Sequence, residues 1–383
     1  MADYRDKIRR YRMRYVYRVI LVILCLGILF AIIYVQYKNH IYTDYDVIST
    51  VSKKNVIGTV NEVLGENILT YSHDGAQCMD STGQALWNQT YEMQNILVEI
   101  SGDVVAIGDY NGHEVYVLNS QKKLYEIDTT MPIRGIAISE SGRAAVAVAD
   151  TKTTWIYIYN EKGEEVYAVK TTMGKSGYPV AFGFSPNGEL LGLSCVYVDA
   201  GTVKSQVAFY NFGDVGANKS DYIVNGYTYH DSIVPYITFL GSGSAVAVGD
   251  DRVVFYEGSQ IPTFQRDYLQ NDEIQGIYKG NGYLGVLFRS DSMEYEHKLI
   301  VFGHNSEEVG TYYFNTEFTD IFFTEKYFVV YGDAECLITT YDNVIKYDGA
   351  FEETVELMIP SGNSGSYQFT LVSSSSIDIV QFK

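Results

Sequence analysis

Seven aspartates recur along the chain at a near-constant interval: Asp74, Asp109, Asp150, Asp199, Asp250, Asp291 and Asp333, with Asp251 beside the fifth. The mean interval is about 43 residues, and each aspartate follows a short apolar run, so each opens an equivalent turn. A carboxylate there can cap its own turn by accepting backbone N–H groups, and three of the seven occur as Gly-Asp, a turn-forming pair. Crowded on one face, the same carboxylates make an acidic mouth that attracts a basic partner or a cation such as Ca²⁺. No calcium loop of the DxDxDG kind accompanies them. His73 and His113 fall in neighbouring loops near Asp74 and Asp109, where a metal site or an acid–base pair is a further reading.

Other chemical signatures fail on spacing. Gly174-Lys175-Ser176 suggests a phosphate loop, but the first glycine would have to stand at position 169, which is Val169. There is no GxSxG elbow and no HExxH zinc helix. His230, His297 and His304 are scattered. Cys25 lies in an apolar segment, and Cys78, Cys195 and Cys336 sit far apart in strand-like runs. Three such cysteines without CxxC spacing read as buried free thiols rather than as a disulfide framework or a zinc site. The expectation is a protein without catalysis and without a resident cofactor.

The elements that position the aspartates are strands. After residue 40 no stretch has amphipathic helix periodicity, whereas β-branched and aromatic runs alternate with Gly, Asn, Asp and Ser. One unit recurs eight times, as in ILVEISGDVVAIG from Ile96, IRGIAISESGRAAVAVA from Ile133 and VPYITFLGSGSAVAVG from Val234. Its second strand is almost wholly apolar, as a strand covered on both faces should be. Two further strands follow each copy but the last, which makes four strands per roughly 40 residues, the blade of a β-propeller. The eighth unit lacks its fourth strand, and YDVISTV at Tyr45–Val51 is a strand left over. Pairing of residues 43–52 with the C-terminal blade closes an all-β, eight-bladed propeller. Seven blades is the alternative, should the insertions around the fourth unit hide a miscount. Trp87 and Trp155 are expected to pack between blades. The long segments Val196–Gln206, Arg289–Lys298 and Asn211–His230 offer a second candidate contact surface.

Ahead of the repeats, Val19–Val35 runs seventeen residues without a charge, flanked by Tyr15, Tyr17, Tyr34 and Tyr37. That length roughly spans a hydrocarbon core of about 30 Å, and tyrosine suits its boundaries. Arg5, Lys7, Arg9, Arg10, Arg12, Arg14 and Arg18 precede it, so the positive-inside bias leaves the N-terminus cytoplasmic and the rest outside. Residues 1–18 read as a basic cytoplasmic arm, 19–37 as an uncleaved single-pass signal anchor in a bacterial cell membrane, and 38–383 as the extracytoplasmic propeller. The arm is expected to meet anionic lipid.

The whole chain carries 28 basic and 47 acidic residues. The first 38 residues hold eight of the basic and two of the acidic ones, so the remainder has a formal charge of −25. A body that acidic repels phosphate, which excludes a free-standing nucleic-acid binder.

Phe184-Ser185-Pro186-Asn187-Gly188-Glu189-Leu190-Leu191 resembles the inner hairpin of WD40-type propellers. Asp80-Ser81-Thr82-Gly83-Gln84-Ala85-Leu86-Trp87 resembles the outer turn of quinoprotein-like (PQQ-type) repeats. In architecture nearly the whole chain resembles single-pass membrane propeller proteins of Gram-positive bacteria. The Trp-Asp dipeptide of WD40 blades is absent, and Gly-His occurs only at Gly112-His113 and Gly303-His304. The quinoprotein likeness implies a cofactor, but no cofactor-binding residue matches. The resulting expectation is a membrane-anchored extracytoplasmic scaffold that binds a protein or envelope ligand on its acidic face. A quinoprotein-like or glycan-active enzyme with its site in the central channel, and a transmembrane sensor, are the alternatives.

Overall fold

The computed structural model describes residues 2–383 apart from 54, 55, 57, 151, 152, 175, 220 and 363–365, and apart from the side chains of residues 2–8, 10, 12 and 14. Most of the basic arm's side chains and Lys175 therefore lie outside the described residues.

A single helix, α1 (Ala2–Lys38), leads into eight four-stranded antiparallel sheets. Blade 1 spans 60–90, blade 2 96–128, blade 3 133–172 and blade 4 178–230. Blade 5 spans 236–269, blade 6 274–314, blade 7 320–350, and blade 8 joins 357–382 to 45–52. Strands within a blade are lettered A to D from the channel outward. The chain is an eight-bladed all-β propeller, as the repeats predict.

The closing strand, Tyr45–Ser52, pairs antiparallel with Ser376–Phe382 as the outer strand of blade 8. Its register runs from Tyr45 opposite Phe382 to Ser52 opposite Ser376, with a bulge between Val47 and Ser49. Lys383 N–H donates to the Asp44 carbonyl, and Lys53 N–H to that of Ser375, which fixes both ends of the ribbon.

The core is not central. Eight apolar clusters of described residues each join one blade to the next. Leu64, Leu69 and Cys78 of blade 1 meet Val105, Ile107 and Leu118 of blade 2, and the pattern repeats around the ring. The B strands are covered on both faces, as in Ala144–Ala149, where every residue is buried. A blade alone would leave both its apolar faces wet, so stability resides in the seams. Trp87 spans one seam, donating its indole N–H to the Asn119 carbonyl of blade 2 at 2.7 Å. Trp155 packs into the cluster joining blades 2 and 3 and stacks on Tyr157 with Lys170 over its ring.

Two local features depart from the sequence reading. A one-turn helix, α2 (Asp214–Ala217), interrupts the strands of blade 4, because a single turn is too short to show periodicity. The helix α1 also extends through the basic arm instead of starting near residue 19, and Tyr15–Lys38 is long and apolar enough to cross a membrane.

Candidate functional site

Antiparallel order divides the loops between two faces. Every A–B and C–D turn lies on one face, and every B–C turn and blade-to-blade connection on the other. Since α1 enters strand D of blade 8 at its start, it joins the ring on the A–B/C–D side. All seven aspartates occupy B–C turns, so they share the face opposite α1, as their spacing implies.

The individual contacts assign several of these aspartates to backbone work. The Asp109 carboxylate accepts the Asn95 N–H at 2.7 Å, tying its turn to the connection entering blade 2. Asp250 does the same for blade 5, accepting the Ile233 N–H at 3.0 Å and the Ser232 hydroxyl at 2.9 Å. Asp150 accepts the Thr153 N–H at 2.8 Å. The Asp74 N–H donates to the Ser72 hydroxyl at 3.3 Å. Asp199 pairs with Lys204 across its hairpin at 2.7 Å, which holds the Asp199 carboxyl below the usual carboxylate range. Arg252 does the same to Asp251, donating to both of its oxygens. Asp291 and Asp333 are exposed. His73 donates its Nδ1–H to the Met93 carbonyl (2.9 Å) and His113 to that of Thr129 (2.8 Å), the same brace in successive blades. Among the described residues, no three His, Cys, Asp or Glu side chains converge to hold a metal ion. The structure therefore brings the aspartates to one face but disperses them around it.

That face is uneven. The B–C hairpin of blade 4 has ten-residue strands, Leu190–Asp199 and Thr202–Asn211, against five to seven in most blades. Its tip, Ala200-Gly201, has φ of 51° and 83°, a tight hairpin turn that glycine accommodates at the second position. Val198 and Val203 face each other just below it, and Val198 is 69% exposed. Met173, Ile233 and Leu269 are exposed in or beside the neighbouring connections, and Met293 and Tyr295 in the long turn of blade 6. Glu273, Asp291, Glu294 and Glu296 are exposed among them, while Lys204, Arg252 and Lys298 are each paired with a carboxylate. Two of the three long segments singled out in the sequence thus share this face. The loop of the third, with α2, is a C–D connection on the opposite face.

The ring axis holds a second polar feature that no local spacing announces. The A strands of blades 2 to 6 line a cavity of about 610 Å³. It ends among A–B turns at Gly102, Glu140, Pro186 and Gly282, so it opens on the α1 side. Glu99 of blade 2 and Lys279 of blade 6 lie on its wall, and the Lys279 ammonium donates to the Thr238 hydroxyl at 3.0 Å. Both side chains are exposed, but to the channel, where protein surrounds them. Desolvation therefore pushes the Glu99 carboxyl up and the Lys279 ammonium down; Lys279 partly offsets this for Glu99, and Glu99 and Glu140 partly offset it for Lys279. Nearby, burial and the Glu62 carboxylate push Asp320 of blade 7 up to about 6. The available signal was an ionisable residue inside an otherwise apolar inner strand, as in Ile96–Ser101 and Ile274–Gly280.

The joint between helix and ring is tight. Lys38 pairs with Asp342 of blade 7 at 2.8 Å. The Tyr42 N–H donates to the Lys346 carbonyl at 2.6 Å, and the Tyr42 ring packs on Tyr367 with centroids 5.0 Å apart.

Solved structures share this architecture at low sequence identity. BamB from Moraxella catarrhalis aligns over 88% of this chain and 100% of its own, with 11% identity and a TM-score of 0.51. Sqt1 from Saccharomyces cerevisiae aligns over 90% and 99%, with 10% identity and a TM-score of 0.52. Apo AztD from Citrobacter koseri aligns over 81% and 90%, with 10% identity and a TM-score of 0.55. Identities this low speak for the fold alone. No curated protein matches the chain in sequence. A family model matches residues 38–382, and the chain belongs to that family, the family of unknown function DUF5711.

Proposed function

We propose that this protein is a single-pass, membrane-tethered propeller that works by binding rather than turnover. Its face turned away from the helix captures a protein partner outside the cytoplasm. The observation that carries this reading is the surface of blades 4 to 6, where Val198, Leu269 and Met293 stand exposed among carboxylates. A water-exposed apolar group is costly, and a cluster rimmed by charge is characteristic of a protein contact. The net acidic rim, in which Lys204, Arg252 and Lys298 are already paired with carboxylates, favours a partner with apolar anchors flanked by Lys or Arg.

The address rests on three features. The apolar helix has membrane-spanning length, the basic residues precede it, and its joint with the ring is short. Residues 39–44 reach at most about 20 Å when extended, which keeps the A–B/C–D face near the bilayer and presents the aspartate face to the exterior. The basic arm supplies attraction to anionic lipid on the cytoplasmic side.

A photo-crosslinking residue at Met293 in the full-length protein, expressed in a bacterial membrane, tests the reading. It should yield a discrete adduct that the second-site changes Val198→Ser and Leu269→Ser reduce by about tenfold, in keeping with loss of central apolar anchors. The same crosslinker at Asn187, in an A–B turn, should not yield that adduct. Equal adducts from both faces would refute the assignment, and so would protection of a cysteine introduced at Val203 from impermeant reagents in intact cells.

A further inference from the structure

The axial cavity presents opposite charges from opposite walls. Blades 2 and 6 stand four apart in a ring of eight, so Glu99 and Lys279 face each other across the axis. No ion pair joins them among the described residues, although their charges interact across the gap. The Lys279 ammonium has three donors, of which Thr238 engages one. Apolar surface on the wall comes from Val180, which is exposed, and Phe182, which is half-buried. At about 610 Å³ the space falls within the range of small-molecule sites.

These features constrain the ligand. A simple anion meeting Lys279 would be repelled by Glu99 and Glu140, with Glu62 and Asp320 adding to the repulsion. A simple cation meeting Glu99 would leave Lys279 with only the Thr238 hydroxyl as acceptor. In a confined, poorly screened space such mismatches are amplified. A molecule carrying both charges on a short apolar spacer satisfies both walls. We propose that the cavity is a binding site for a small zwitterion of the amino-acid or short-peptide class. Its carboxylate would meet Lys279, its ammonium would meet Glu99, and it would enter from the α1 side of the ring.

The test uses the full chain in detergent micelles or nanodiscs, with calorimetry and thermal shift against glycine, β-alanine, 4-aminobutyrate, 6-aminohexanoate and dialanine. At least one of these should bind and raise the melting temperature. It should bind about tenfold more tightly than the diamine or the monocarboxylate of the same length, since each of those leaves one wall charge unmatched. Lys279→Met should weaken the zwitterion and shift preference toward the diamine, and Glu99→Gln should shift it toward the monocarboxylate. Opposite shifts from two substitutions in one cavity distinguish recognition from misfolding. If no member of the series binds, or if 1,4-diaminobutane binds the unaltered protein as tightly as 4-aminobutyrate, the assignment is overturned.

Discussion

The ammonium of Lys346 donates a hydrogen bond to the carbonyl oxygen of His40 at 3.2 Å, and it also reaches the carbonyl of Lys38. A buried cation of blade 7 thus caps the carbonyl end of α1, where the helix dipole places partial negative charge. Lys346→Met removes those bonds while retaining the stem. Hydrogen exchange should quicken at residues 39–42, and the melting temperature should fall by the few degrees that about 1–2 kcal/mol represents. Asp342→Asn breaks only the exposed pair with Lys38 and should leave the melting temperature nearly unchanged.

The ring is closed by a ribbon from the other end of the chain. Deleting residues 45–52 strips strand D from blade 8, exposes the edge of Ser376–Phe382 and removes Tyr45 from the aromatic cluster around Phe351 and Phe382. The expected result is a melting temperature lower by about 10 °C, with concentration-dependent aggregation through the freed edge. Unchanged melting and a clean monomer on a sizing column would contradict the closure.

The B–C aspartates should separate into two groups. Asp109→Asn and Asp250→Asn weaken a carboxylate that accepts backbone N–H groups, and each should cost roughly 1 kcal/mol in urea unfolding. Asp291→Asn should leave the unfolding midpoint unchanged, so any loss of partner adduct there reports on the surface itself. Equal costs at all three positions would undo this division.

Asp320 gives the ring a pH signature. Its carboxyl titrates near 6, raised chiefly by burial and then by Glu62. A raised acid binds its proton more tightly in the folded state, so stability should decline as pH rises from about 4 to about 6 and then level off. The effect is at most about 3 kcal/mol. In Asp320→Asn this part of the slope should vanish from unfolding curves measured across that range.

Cys78, Cys195 and Cys336 are buried and free. Burial pushes the Cys78 thiol up to about 11 and that of Cys195 to about 12, so neither forms appreciable thiolate at neutral pH. A thiol reagent at pH 8 should leave all three unmodified in the folded protein and label them only in denaturant.

Much of this was legible because a propeller repeats its instructions. The apolar B strands, the Asp at seven of the eight B–C turns and the orphan strand near Tyr45 are local patterns, and local patterns are what a sequence displays. Glu62, Glu99, Lys279 and Asp320 were missed because each stands singly in its own blade. Ring closure alone brings them near one axis, so no spacing between them carries information. The long segments were legible as insertions, but which face each joined depends on whether it follows a B or a C strand. The braces at His73 and His113 were read as candidate chemistry, because a histidine beside an aspartate looks alike whether it meets a metal or a carbonyl.

The composite eighth blade also sets a timetable. Tyr45 leaves the ribosome more than three hundred residues before its partner Phe382. Seven sheets can stack in order of synthesis, but the earliest strand must wait, unpaired and next to the helix, for the final one. Closure of blade 8 must therefore await synthesis of its inner three strands, and a chain cut short before Ser376 leaves Tyr45–Ser52 without the edge it pairs with.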